Sequence, residues 1–461
     1  MNNARYQSRL SHLITDYGML IVLVLLCLLF SLLTLKDQTV SGERGAETVF
    51  ESLNSGQSAD GKILIVVGTT ASDTEFGQTL FAKLGDAGRE VSIEAGDPAR
   101  LREQLSLIPF VDSVRTIVTT DVTLPVVKNL LGQSRATGAE VVTPPKRRWP
   151  TFLLAENLRN VANQITVIAI IAIGMTMVII TAGIDLSVGS LIALSAVSIA
   201  WVVGALGGAE ISLMGVMAAV LAALVMAAAT GAFSGLMITA FRIPPFIATL
   251  AMMQVAAGVA YIISQGKPIY RLPEGFVWLG RGTDPILNMP IAVILMFVLY
   301  FLAWVLMERT VLGRYIYAVG GNPEAARLAG IRVNTVLMFV YTLCGLLAGL
   351  GGIIMASQLK SGAPTYGLTY ELYVIAAVVV GGTSLSGGEG KIIGTLIGAF
   401  IIGVIQNGMN LTNIETYTQK VVLGLVILAA VLFDRLKQKG LRRSIGFFRA
   451  IPRAKSEVTS T

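Results

Sequence analysis

Three short stretches of the 461-residue chain place polar chemistry where the surrounding residues are apolar. The first is GMTMVIITAGIDLSVGSLIALSA (174–196), which sets Asp185 between two apolar runs. A carboxylate at membrane depth is expensive and needs a partner or a task. Two readings stay open and are compatible. Asp185 or Ser187 can cap the helix that follows, at the cytoplasmic boundary, or Asp185 can take part in gating. The second stretch is GRYIYAVGGNPEAARLAGIRVNTV (313–336). Asn322 can N-cap a short helix with Pro323 at its first position and Glu324 at its positive end. Ala325, Ala326 and Arg327 continue that helix and Gly330 stops it. A short capped helix between two membrane spans is a rigid lever on which a partner can dock. The third stretch, GGTSLSGGEGK (381–391), is a Gly/Ser-rich turn joining two apolar segments.

Other chemistries lack their residues. The single histidine, His12, lies in a polar leader, so a histidine-based zinc site or a Ser-His-Asp triad is not expected. Cys27 and Cys344 are far apart in apolar runs, with neither disulfide nor metal-ligand spacing. No catalytic, metal or cofactor-binding residue is expected in this chain. The letters LSGGE match an ATPase signature, but that signature works only beside a Walker A and a Walker B, and neither is present.

The elements that must position these residues are mostly membrane spans. Hydrophobic residues make up 54% of the chain and charged residues 14%, against ~25% charged in a soluble domain. The charge is uneven: 28 of the 115 positions in 36–150 are charged, but only 35 of the remaining 346. This excludes a plain cytosolic enzyme, a coiled coil and a disordered chain. Apolar runs near 18–35, 161–182, 187–205, 212–240, 246–264, 290–307, 335–356, 372–383, 391–408 and 417–433 are read as about ten transmembrane helices. The run at 372–383 is short and is read as a broken or re-entrant element. Sixteen Lys/Arg fall on one side of this arrangement and six on the other, the insert excluded. The excess places both termini inside. The +7 net charge therefore tracks membrane boundaries rather than nucleic acid. The expected organisation is a leader and first span (1–35), an extracytoplasmic insert (36–150), a transmembrane bundle (151–434) and a basic tail (435–461). GxxxG spacings at Gly204/Gly208, Gly231/Gly235, Gly345/Gly349 and Gly394/Gly398 suggest tight helix packing.

The insert reads as a small α/β domain. Ile63–Val67 is a continuous β-type run ending in Gly68-Thr69-Thr70, where an anion or small molecule could bind; the favoured reading of the insert is a structural or partner-docking domain. A helix with Phe76, Leu80, Phe81 and Leu84 on one face follows at 74–87. Further strands are expected at Val91–Glu94, Arg115–Thr119 and Glu140–Thr143. Helices are expected at 98–107, opened by Asp97-Pro98, and at 124–132. Alternation of this kind implies a parallel sheet.

From about Asn157 to Asp434, and in its first span, the chain resembles the permease subunit of the ribose-type ABC sugar importers. NLRNVANQ (157–164), GMTMVIITAGIDLSVGS (174–190), PPFIATLAMM (244–253), GGNPEAARLAGI (320–331), GLLAGLGG (345–352) and the segment 370–411 carry the resemblance. It implies a dimer of this chain in the bacterial inner membrane, a cytoplasmic ATPase holding the ATP and Mg, and an external solute-binding protein. It also implies that Gly320, Gly321, Asn322, Pro323, Glu324, Ala325, Ala326, Arg327 and Gly330 form an EAA-type loop coupling the permease to the ATPase. A translocation path for a small neutral sugar would use Asn160, Asn163, Gln164, Thr166, Gln254, Gln406, Asn407 and Asn410, gated near Asp185 and Ser187. Each of these could instead make an interhelical hydrogen bond. The insert departs from the family pattern. Alternatives are a proton- or sodium-coupled secondary transporter of a small polar solute and a membrane-anchored ligand sensor. The first is weakened by the lack of an acidic or histidine chain within the spans.

Overall fold

The computed structural model describes residues 2–40, 42–55, 61–106, 114–133, 139–270 and 272–449. The chain divides into two compact units, one made of Met1–Thr34 with Phe152–Thr461 and the other of Leu35–Thr151.

In chain order, α1 (Asn2–Leu33) precedes the second unit, which holds β1 (Leu35–Thr39), α2 (Gly42–Ser55), β2 (Lys62–Val67), α3 (Ala71–Asp86), β3 (Val91–Ala95), α4 (Pro98–Ser106), β4 (Val114–Thr119), α5 (Leu124–Gln133), β5 (Glu140–Val142) and β6 (Lys146–Pro150). Its sheet is fully parallel with strand order β3-β2-β4-β5. Continuous apolar strands suit a sheet covered on both faces. Ile63, Ile65 and Val67 pack with Ala46, Val49, Phe76, Leu80 and Leu84. Their neighbours Leu64 and Val66 point the other way, toward Leu101, Val126 and Val127. The anticipated cap at Asp97 forms, its Oδ1 accepting from Ala99 N and Arg100 N, both at 2.9 Å; a second cap, not anticipated, is Thr70, whose Oγ1 accepts from Asp73 N at 3.1 Å. Phe81, expected on the buried face of α3, is 40% exposed. Helix α2 and the antiparallel ribbon joining β1 to β6 extend the strand-and-helix pattern read from the sequence. The ribbon closes the unit where the chain enters and leaves it.

The first unit continues with α6 (Ala155–Ile180), α7 (Val188–Ala205), α8 (Leu213–Ala240), α9 (Pro245–Ser264), α10 (Glu274–Arg281), α11 (Ile291–Arg309), α12 (Val311–Gly321), α13 (Pro323–Leu328), α14 (Val333–Leu359), α15 (Tyr370–Val380), α16 (Ile392–Leu411) and α17 (Thr416–Arg449). Among the described residues seven helices, α6, α7, α8, α9, α11, α14 and α16, are long and apolar enough to cross a membrane. Three shorter apolar helices, Gly18–Leu33, α15 and Thr416–Leu432, occupy the other expected runs. The 11 residues of α15 rise only ~16 Å, about half the hydrocarbon thickness, as the short run at 372–383 implied.

Helix α6 is buried along almost all of its apolar length and α14 over most of its second half, from Cys344 on, and the two form the centre of the bundle. Small residues allow this. A Cβ added to Gly345 on α14 would stand 2.6 Å from Ala227 O and 2.9 Å from Gly231 Cα on α8. Such backbone approach replaces the hydrophobic drive that lipid does not supply. The Gly394/Gly398 pair likewise faces the backbone of α15 and the turn after it. The Gly204/Gly208 spacing does not pack in this way: neither glycine has a neighbour within 4 Å of an added Cβ, because α7 ends at Ala205 and Gly208 lies beyond it.

Candidate functional site

Three turns meet at one end of the bundle. They are the α6–α7 turn (181–187), the α12–α13 corner (320–322) and the α15–α16 turn (381–391). Gly388 N donates to Ile180 O at 2.8 Å. Gly320 is buried, and a Cβ on it would overlap the same Ile180 carbonyl and stand 2.8 Å from Gly388 N. Tyr317 Oη, on α12, donates to Gly390 O at 2.7 Å. Burial, with Glu308 adding like charge, raises the pKa of that phenol. The contact requires glycine at 320, since any side chain would separate the two turns.

Asp185 lies in the first of these turns and is fully buried. Its Oδ1 accepts from Ser187 N at 2.9 Å and from Ser187 Oγ at 2.6 Å. Ser187 occupies the N-cap position of α7, but its hydroxyl makes no capping bond; it serves the carboxylate instead. Asp185 Oδ2 and the nearby Tyr341 Oη have no hydrogen-bond partner among the described residues. Gly183 leaves room for Tyr341, because a Cβ there would overlap the phenol oxygen. Thr249 Oγ1 on α9 donates to Ile184 O at 3.1 Å. The turn is therefore held by three other parts of the bundle and carries an acidic group with spare hydrogen-bonding capacity.

Next to this cluster stands α13. Asn322, in extended conformation (φ −161°, ψ 102°), accepts from Glu324 N and Ala325 N, both at 3.0 Å. Glu324 and Arg327 pair across one turn at 3.0 Å, both exposed. Gly330 ends the helix with φ +86°, a left-handed conformation that glycine adopts without penalty. Ala326 is buried against the bundle, whereas Gly321, Asn322, Pro323, Glu324, Ala325, Arg327 and Gly330 face outward. Leu328, which sequence reasoning did not single out, is 91% exposed. Its signal was an apolar residue on the outer side of a helix whose inner side needs only Ala326.

The polar residues considered for a path divide into two groups. Asn407 is buried and exchanges two side-chain hydrogen bonds with Asn157, at 2.9 and 3.0 Å, joining α16 to α6. Asn163 accepts from Gln358 of α14 at 3.2 Å. Asn410 accepts from Gln419 at 2.8 Å, and Thr166 bonds its own helix at Ala162 O. These four have structural partners. Asn160, Gln164, Gln254 and Gln406 have no hydrogen bond among the described residues, and all but the half-buried Gln406 are exposed. Gln254 lies at the middle of α9 on a face that is otherwise apolar. The early α6 and late α16 residues lie at the end of the bundle opposite Asp185, so the structure does not gather them with it.

A family model described as "Branched-chain amino acid transport system / permease component" matches residues 157–431. The ribose import permease protein RbsC of Escherichia coli (strain K12) is 47% identical over 293 residues, 63% of this chain and 88% of that protein. RbsC of Bacillus subtilis (strain 168) is 45% identical over 290 residues, covering 62% and 87%. The L-arabinose transport system permease protein AraH of Escherichia coli (strain K12) is 39% identical over 293 residues, covering 64% and 87%. No solved structure matches significantly. The insert lies outside the family match.

Proposed function

The chain belongs to this permease family, and on that footing we propose that it is the membrane-spanning subunit of an ABC importer for a small sugar, driven by a separate ATPase. The family description names branched-chain amino acids, but relatives at 39–47% identity are named for ribose and L-arabinose, and this favours a sugar. The protein resides in the bacterial inner membrane as a dimer, with both termini and α13 on the cytoplasmic side. A solute-binding protein delivers the sugar from outside.

The observation that carries the reading is the outward-facing α13 set on a buried glycine corner. Glu324, Ala325, Arg327 and Leu328 offer a docking surface. Gly320 transmits its displacement to Ile180 and hence to the Asp185 turn without an intervening side chain. ATP-driven closure of the ATPase would pull on α13, shift the α6–α7 turn and change which side of the bundle is open. Unpaired amides, Gln254 first, would hold the sugar briefly through weak polar contacts. An amide facing hydrocarbon would be costly, so the α9 face that bears it fits a path or a protomer contact better than lipid.

Cysteine substitution at Ala325, followed by cross-linking to the co-expressed ATPase, tests the docking. A specific cross-link supports it. A chain that purifies without any ATPase, and takes up sugar on the proton gradient after ATP depletion, would establish the secondary-transporter alternative instead.

A further inference from the structure

The insert has a chemical feature that its fold does not use. In an open parallel sheet, ligands bind outside the carboxyl ends of the strands, where the strand order reverses. In the order β3-β2-β4-β5, that place lies between β2 and β4. Two turns flank it, Gly68-Thr69-Thr70 after β2 and Thr120-Asp121-Val122-Thr123 after β4.

Asp73 lies between those turns. It is 4% exposed, yet its Oδ2 has no hydrogen-bond partner among the described residues. The oxygen stands 2.6 Å from where a Cβ on Gly68 would be, and the next side chain over that glycine is Val122 of the second turn, at 3.5 Å. The carboxylate thus sits over the end of β2, in space kept free by Gly68 and beside Val122 of the second turn. A buried acceptor left unsatisfied is costly, and a ligand donor would remove that cost. The rim is prearranged. Thr123 Oγ1 donates to Val66 O at 2.9 Å and lies 2.8 Å from Thr119 Oγ1, while Thr70 caps α3. Thr69 is exposed and makes no hydrogen bond among the described residues.

We propose that this crevice is a binding site for a neutral polyhydroxylated small molecule. Its hydroxyls would donate to Asp73 and accept from Thr69 and the first amides of α3. A group that both donates and accepts matches this mixed lining. An anion would be repelled by the Asp73 charge. A hard divalent cation needs six or more oxygen ligands, and no cluster of three or more acidic, histidine or cysteine side chains exists among the described residues.

The choice of sugars as probes rests on the transport reading; the site does not. The test measures equilibrium binding of radiolabelled D-ribose, L-arabinose and D-allose to the purified full-length chain without ATPase, with calcium and inorganic phosphate as comparison ligands. One of the sugars binds saturably, and Asp73→Asn weakens it about tenfold or more, as loss of a charge-assisted hydrogen bond predicts, with an unchanged melting profile. Thr69→Trp, at an exposed position beside the capping Thr70, blocks the crevice without disturbing the cap and is the second variant should Asp73→Asn not fold. Undiminished sugar binding in either folded variant overturns the proposal, as does saturable calcium or phosphate binding that Asp73→Asn removes. Absence of any sugar binding overturns it as well. ATP-driven uptake by the assembled importer is scored separately, so loss of this site leaves the transport reading standing.

Discussion

The two units of the chain bury apolar residues in opposite ways. In the insert each strand residue belongs to one of two faces: Ile63, Ile65 and Val67 to one cluster, Leu64 and Val66 to the other. In α6 every residue from Ile165 to Ile180 is buried, and glycines decide where the neighbouring backbones come together. A soluble domain gains stability by removing apolar area from water. A membrane bundle cannot, and relies on close packing and a few interhelical hydrogen bonds. Functional groups follow the same division. In both units an unpartnered carboxylate oxygen stands near the start of a helix: that of Asp73 in the first turn of α3, that of Asp185 in the turn that leads into α7. In the insert room for the carboxylate comes from the missing side chain of Gly68, and in the bundle Gly183 makes room for Tyr341 beside Asp185.

The contrast predicts unequal responses to a change at glycine. Gly345→Leu forces a side chain into the α8 backbone, where overpacking costs more than the usual ~1–3 kcal/mol; fluorescence-detected size exclusion should recover little folded protein. Glu324→Lys should come next in effect. It reverses the charge on an exposed helix without touching the core, so uptake is lost while membrane insertion and thermal midpoint stay at wild-type values. Normal uptake in that variant would remove α13 from the coupling pathway. A double-mutant cycle with Asn157→Ala and Asn407→Ala should give a coupling of about 1 kcal/mol, the scale of interhelical polar pairs in membranes. The smallest effect is expected at Gly85 in α3, where an added Cβ meets nothing within 4 Å. Gly85→Ala should stabilise the insert by about 0.5–1 kcal/mol, seen as a small rise in its denaturation midpoint.

Much of this architecture is legible in the chain because it is local. Apolar runs mark the spans, Ile63–Val67 marks a central strand, and Asn322-Pro323-Glu324 spells its own helix start. The features that escaped depend on partners distant in sequence. The β1–β6 ribbon pairs Leu35 with Pro150, and nothing in either strand's composition announces the other. Asn407 finds Asn157 across 250 positions, so an amide considered for the path turns out to join two helices. The GxxxG spacing at Gly204/Gly208 and that at Gly345/Gly349 look alike on paper; only the course of α7 shows that the first has nothing to pack against. Asp185 was recognisable as unusual, but its depth of burial and its bond with Ser187 required the fold of the turn.

The central claim is that this chain is a gate moved by a separate nucleotide-hydrolysing subunit acting through α13. Its most direct test is sugar accumulation in proteoliposomes containing the purified chain and an external solute-binding protein, with and without the ATPase and ATP. The account predicts accumulation only when both ATPase and hydrolysable ATP are present. Sustained accumulation by the chain without the ATPase would contradict it.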